Sequence, residues 1–347
     1  MKSVVIHAEG HVRVEERPQP QIKAEDDVLV KVISSGLCGS DIPRIFAHGA
    51  HYYPITLGHE FSGYVVSCGS GVTDLQAGDA VACVPLLPCF QCPQCEREYF
   101  SLCKHYQFVG SRSEGGHAEY VVVKRANLFA LPADMPIEDG AFIEPITVGL
   151  HAFPLLRACS CKNIIIGRSC NIGLLAMQCA RELGAKSITA IDINPQNLAL
   201  AETLGATQTF NSREMSAAQI QAAMAGSQFD QLLLETAGTP QTVSLSIDIA
   251  GPRAQLALVG TLHQDLTLTS AVFGQILRKE LTVTGSWMNY SGPWPGEEWQ
   301  TAARLLTEKR LSLTPLIAHR GDAGYFAQAV EALHGAPMQG KILLQFS

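Results

Sequence analysis

The sequence predicts an α/β protein of two domains, one β-rich and irregular, the other a doubly wound parallel sheet. Three observations carry that expectation. Short β-branched runs broken by Gly, Pro and Asp fill the chain up to about residue 150. Beyond it, apolar strands alternate with segments of helical apolar spacing, the pattern of βαβ units. The 347 residues are 47% hydrophobic and 16% charged, enough to bury more than one core.

In chain order, the strand runs are VLVKVISS, FSGYVVSCG, DAVACVP and AEYVVVK. The alternation then begins. Ile164–Ile166 is a strand, Ile172–Leu183 a helix, Ser187–Asp192 a strand and Gln196–Leu204 a helix. Strands at Leu232–Glu235, Gln255–Val259 and Leu281–Gly285 continue it. The stretch SWMNYSGPWPGEEW is irregular, and a helix near Glu298–Glu308 and a strand KILLQF close the chain. The expected layout is a β-rich domain at 1–155, a nucleotide-binding domain at 156–286 and a return segment at 287–347 that completes the first domain.

Net charge is −7 with no basic run, which argues against nucleic acid. The apolar runs are interrupted by Glu144 and Arg168, so no membrane span is expected. The opening residues alternate like a strand and lack the apolar core of a signal peptide. Eleven cysteines fit reduced thiols better than a disulfide framework. Cys68, Cys83, Cys159, Cys161 and Cys179 read as small buried apolar residues.

Cys89, Cys92, Cys95 and Cys103 follow the spacing C-x2-C-x2-C-x7-C. Short loops let four sulfurs converge on one tetrahedral ion, so the set reads as a closed structural zinc site; an iron–sulfur centre or unpaired thiols are the alternatives. A second, open site is expected elsewhere. Cys38 lies in the turn GLCGSD, His59 in GHE and Glu144 in FIEPITVG. One thiolate, one imidazole and one carboxylate leave a fourth position on zinc for water or substrate. Asp41 suits the other ring N–H of His59, and Ser40 a proton relay.

These motifs resemble the zinc-dependent medium-chain dehydrogenase/reductase family, in its polyol dehydrogenase branch, over the whole chain. The resemblance implies a GroES-like catalytic domain and a Rossmann domain. It implies two Zn²⁺ per chain, with Cys38, His59 and Glu144 as catalytic ligands and Glu60 as a neighbouring or alternative one. The cysteines 89, 92, 95 and 103 match its structural lobe, and Ser40 its relay. It further implies a cytoplasmic homo-oligomer, dimer or tetramer, that oxidises a sugar-alcohol phosphate with NAD; another polyol or secondary alcohol is the alternative. Zinc lowers a hydroxyl pKa, and hydride then passes to the nicotinamide.

The family's G-x-G-x-x-G turn would end at Gly173, but Arg168 and Cys170 occupy its first two glycine positions. A side chain at Cys170 is expected to crowd the pyrophosphate, while Asn171 caps the helix and Arg168 reaches a phosphate. A shifted turn, a disabled site or a local sequence anomaly each follow from this, and a disabled site would leave a non-catalytic zinc protein. Asp192, 19 residues beyond Gly173, is placed to bind the ribose and favours NAD over NADP. Arg44, His48 and His51, with Arg278, Lys279 and His319, are the cations considered for a substrate phosphate. Tyr52, Trp287 and Asn289 are candidates for the pocket wall.

Overall fold

The computed structural model describes every residue except 48, 156–162, 168–169, 225–228 and 336–337. It divides into two compact units, Met1–Glu144 with Tyr290–Ser347, and Pro145–Asn289. The first division falls early in the helix Ile143–Leu155, between Glu144 and Pro145.

The first unit is built on a mostly antiparallel seven-stranded sheet. Its central strand, Asp27–Gly36, is buried along nearly its whole length. One edge pairs with Glu60–Cys68. The other is shared: Tyr120–Lys124 pairs with Asp27–Lys31, and Lys341–Gln345 pairs with Ser34–Gly36. The end of the chain thus completes the sheet begun at its start. Val28, Val30, Val32, Phe61, Val65, Phe326, Ile342 and Leu344 share one core. Each such side chain contributes about 1.5–3 kcal/mol by leaving water.

The second unit holds six parallel strands in the order Gln208–Asn211, Ser187–Asp192, Asn163–Ile166, Gln231–Glu235, Gln255–Leu258, Thr282–Gly285. Crossing helices start where the sequence supplies caps. Ser216 and Thr239 form capping boxes, Asn194 accepts from the Gln196 N–H, and Pro195 and Pro240 open their helices. Ile165, Ile191, Leu233, Val243, Ile247 and Leu256 form the core. Strand order reverses beside Asn163–Ile166, and such a switch point opens a ligand crevice at the strands' carboxyl ends. Among the described residues, no helix is long and apolar enough to cross a membrane.

Candidate metal centre and dinucleotide site

Among the described residues, two groups of His, Cys, Asp and Glu converge closely enough to hold an ion: Cys89, Cys92, Cys95 and Cys103, and Cys38, His59 and Glu60. In the first, Cys92 caps the short helix Pro93–Glu96, with Pro93 setting its first turn. Sulfur–sulfur separations are 3.5 Å (Cys92–Cys95), 3.9 Å (Cys92–Cys103) and 4.0 Å (Cys89–Cys95). A zinc tetrahedron with bonds of about 2.3 Å has edges of about 3.8 Å, so the cage matches the ion. Backbone N–H groups of the turn, Cys95 first, pull the Cys92 thiol down to about 6, while burial pushes Cys95 up to about 12. Four thiolates this close cannot all ionise without a cation among them.

The open group is assembled where two strands meet. Gly36, at the end of the central strand, lies opposite Glu60, the first residue of the next. A Cβ at Gly36 would strike the Glu60 carboxylate. Gly58 has φ +100°, and a Cβ there would collide with the His117 ring. These two glycines let the chain turn His59 and Glu60 toward Cys38. Cys38 sits in the turn before the helix Asp41–Phe46; its N–H donates to Asp41 Oδ2 at 3.1 Å, and Ser40 Oγ donates to its sulfur at 3.3 Å. Asp41 Oδ1 stands 3.6 Å from His59 Nδ1, beyond hydrogen-bond range. That buried Nδ1 has no hydrogen-bond partner.

Burial works against a charged His59, yet the negative charges of Asp41 and Cys38, and less strongly Glu144, outweigh it and lift its pKa to about 10. The pocket carries a surplus of negative charge that a divalent cation would neutralise. The donor set therefore fits zinc. Glu144, in the first turn of its helix, is buried, and its charge is felt at His59, Lys341 and Tyr290. It stands outside the three-residue convergence, which uses Glu60 instead. Glu60 also accepts from Lys341 Nζ at 2.5 Å, and Lys341 reaches the Leu37 carbonyl at 3.2 Å. Lys341 and Glu60 are both buried, and the nearby acids raise the Lys341 pKa despite its burial.

In the parallel unit, Asp192 ends its strand and is buried; Oδ1 accepts from Asn194 N (2.8 Å) and Oδ2 from Asn197 Nδ2 (3.1 Å). The helix Asn171–Glu182 has Cys170 at its cap position, with no side-chain capping bond, so Asn171 is not the cap the sequence suggested. The Cys170 sulfur turns to Thr236, 3.8 Å from its carbonyl. Gly173 is buried within the helix. Buried Glu235 accepts from the N–H groups of Ala237 and Gly238 and from Thr242 Oγ1, holding the loop after its strand. Arg168 lies outside the described residues.

Residues 24–133 match the alcohol dehydrogenase GroES-like domain and residues 171–308 the zinc-binding dehydrogenase domain. Over 344 residues the chain is 68% identical to galactitol 1-phosphate 5-dehydrogenase of Escherichia coli, with 99% of each covered. The chain belongs to the zinc-binding dehydrogenases. The crystal structure of galactitol-1-phosphate dehydrogenase from Escherichia coli matches with a TM-score of 0.98 at 67% identity, over 100% of both chains. A zinc-binding dehydrogenase from Sinorhizobium meliloti bound to NADP matches at 0.87 and 30% identity, over 99% of each.

In this dehydrogenase the residues considered for substrate are unequally placed. Arg44 donates through Nη1 to Ser40 O (2.6 Å) and Ser40 Oγ (2.9 Å), next to Cys38. Tyr52 and Trp287 are exposed. Asn289 is buried and donates to Thr147 Oγ1 at 2.6 Å. Lys279 binds the carbonyl of Asp248 and His319 the Tyr325 hydroxyl. His48, Cys159 and Cys161 lie outside the described residues, while Cys83 and Cys179 are buried. Sequence reasoning missed Lys341 and Glu235, whose partners are apparent only once strands pair.

Proposed function

We propose that this dehydrogenase oxidises galactitol 1-phosphate at C5 to tagatose 6-phosphate and passes the hydride to NAD. The observation that carries this reading is the full-length likeness to galactitol 1-phosphate 5-dehydrogenase. Cys38 and His59, with Glu60 or Glu144 as carboxylate, would hold the catalytic zinc. Cysteines 89, 92, 95 and 103 would hold the structural one. Bound zinc supplies a Lewis acid that lowers the pKa of a substrate hydroxyl. The chain's own residues do the rest. Asp41, 3.6 Å from His59 Nδ1, acts on the ring through its charge. Ser40, exposed and hydrogen-bonded to both Cys38 and Arg44, carries the departing proton toward water. Lys341 holds Glu60 and offsets part of the negative charge.

Asp192 would accept the ribose hydroxyls and repel a 2′-phosphate. Cys170 turning toward Thr236 favours a turn that still admits the pyrophosphate, with Gly173 packing the helix and Arg168 as an added phosphate contact. The decisive experiment compares kcat/KM for galactitol 1-phosphate, galactitol and sorbitol, with NAD and with NADP. Preference for the free polyols, or for NADP, sinks the corresponding half of the reading. Asp192→Ala should lower NAD efficiency about 10- to 100-fold, as expected for losing hydrogen bonds to a charged group, and narrow the NAD/NADP gap. An unchanged gap would remove Asp192 from the ribose site.

A homo-oligomer is proposed from one exposed edge. Thr282–Gly285 ends the parallel sheet, and Val283, Phe273 and Leu277 nearby are exposed. A strand paired on one side only can recruit another along its open edge. Val283→Lys should shift the mass measured by light scattering toward monomer; no shift would exclude this edge. The free thiols of the described cysteines suit a cytoplasmic setting, and the net charge of −7 speaks against nucleic acid.

A further inference from the structure

Beside the open metal group, three basic side chains are brought together from two distant segments. Arg44 belongs to the helix Asp41–Phe46. All its hydrogen bonds among the described residues use Nη1, which leaves Nε and Nη2 for a ligand. The chain after this helix folds back on it. Gly49 N donates to Pro43 O at 3.0 Å, and Tyr53 OH donates to Arg44 O at 3.2 Å. His51 lies between those two anchors and is exposed.

Arg112 arrives from the loop after Phe108. The Phe108 ring packs edge-on against His59, centroids 5.4 Å apart, and Arg112 N donates to Phe108 O at 2.8 Å. Gly115 N donates to Thr56 O at 2.8 Å, and Thr56 N to Glu114 Oε2 at 3.1 Å, so the loop runs beside the segment leading from His51 to His59. The Arg112 guanidinium stacks on the Tyr106 ring at 4.5 Å and makes no ion pair among the described residues. The nearby acid, Glu114, is engaged by Arg17 at 3.3 Å. Partial burial, then the charges of Arg112 and Arg44, depress the His51 pKa, so all three groups share one electrostatic neighbourhood.

Two guanidinium groups whose charges both reach one imidazole suit a phosphomonoester, because arginine binds such groups through paired N–H donors. We propose that Arg44, His51 and Arg112 form the subsite for the phosphate of a phosphorylated polyol and set the preference for it over the free polyol. This rests on the substrate reading above and deepens it. In a polyol oxidised at C5 and phosphorylated at C1, the reacting carbon and the phosphate lie toward opposite ends of the molecule. The cations should therefore stand beside the metal group and not within it, as Arg44 does across Ser40 from Cys38.

The test uses full-length, zinc-loaded protein and the variants Arg112→Gln, Arg112→Lys and His51→Gln. The first readout is the ratio of kcat/KM for galactitol 1-phosphate to that for galactitol. The second is the dissociation constant of inorganic phosphate by calorimetry at fixed ionic strength. Arg112→Gln should reduce the ratio about 10- to 100-fold, mainly through KM, weaken phosphate by a similar factor and leave zinc content unchanged. Arg112→Lys should restore part of the loss, and His51→Gln should show a smaller loss. A ratio and a phosphate affinity that survive both Gln variants would overturn the subsite while leaving the substrate reading intact. A wild-type protein with no preference for the phosphorylated polyol would overturn the substrate reading, and the subsite with it.

Discussion

Cys38→Ser is expected to leave one zinc per chain and to lower kcat/KM for galactitol 1-phosphate by about a thousandfold or more. The metal supplies several kcal/mol of stabilisation to developing oxygen charge, and each decade of rate corresponds to about 1.36 kcal/mol. The sulfur is the group that Ser40 Oγ and the Asp41 turn are arranged around, so its loss removes a ligand and leaves His59 among uncompensated carboxylates. The four-cysteine cage belongs to a separate lobe, so melting temperature should change little. Elemental analysis and steady-state kinetics on one preparation check both statements. Two zincs retained with near-normal turnover would remove Cys38 from the catalytic site.

Cys95→Ser should have the opposite profile, a structural failure with the catalytic ligands untouched. The cage supports an aromatic cluster. Trp294 packs at 5.5 Å from Phe90 and 5.2 Å from Phe100 and stacks on Tyr290 at 5.3 Å, while the Tyr290 hydroxyl accepts from Leu86 N. Phe90 and Phe100 lie within the cysteine segment, so opening it exposes rings that hold the return segment in place. Structural zinc contributes about 10–16 kcal/mol where it alone organises a small domain. In a unit with its own large core, a loss of about 4 kcal/mol and a fall of about 10 °C in Tm is expected. Calorimetry and Trp fluorescence would show it. A melting temperature within two degrees or so of wild type, with one zinc missing, would mean the lobe is held by packing alone.

Periodicity made much of the architecture legible. The run Ile164–Ile166, the helix after it and the strand Ser187–Asp192 stand in the structure within about a residue of where apolar spacing puts them. Helix ends were less legible, because Cys170 occupies the cap position where Asn171 has the better side chain. The four cysteines are local in sequence, so their convergence could be read directly. The open site could be read in part. Cys38 and His59 are marked by their glycine-flanked turns, but two glutamates, Glu60 and Glu144, each follow a recognisable motif. Which one approaches the pair depends on strand register between Gly36 and Glu60, which composition does not encode. Lys341 carries no local signal, since its partner is 281 positions away. Arg112 looks like an ordinary turn residue in SRSEGG until Phe108 is seen against His59.

That separation between Glu60 and Lys341 has a consequence for how the protein is made. The strand Lys341–Gln345 fills the second half of an edge whose first half belongs to Tyr120–Lys124. While the chain is being synthesised, Ser34–Gly36 must wait with that edge open, and Glu60 without its ammonium partner, until the whole parallel-sheet unit has emerged. A nascent chain in this interval exposes an unpaired strand edge next to thiols and an unpaired carboxylate. Early zinc capture would neutralise that carboxylate during translation, and late capture would have to follow closure by the final strand. Metal capture at this site is thereby coupled to a buried lysine 281 positions beyond the glutamate it holds.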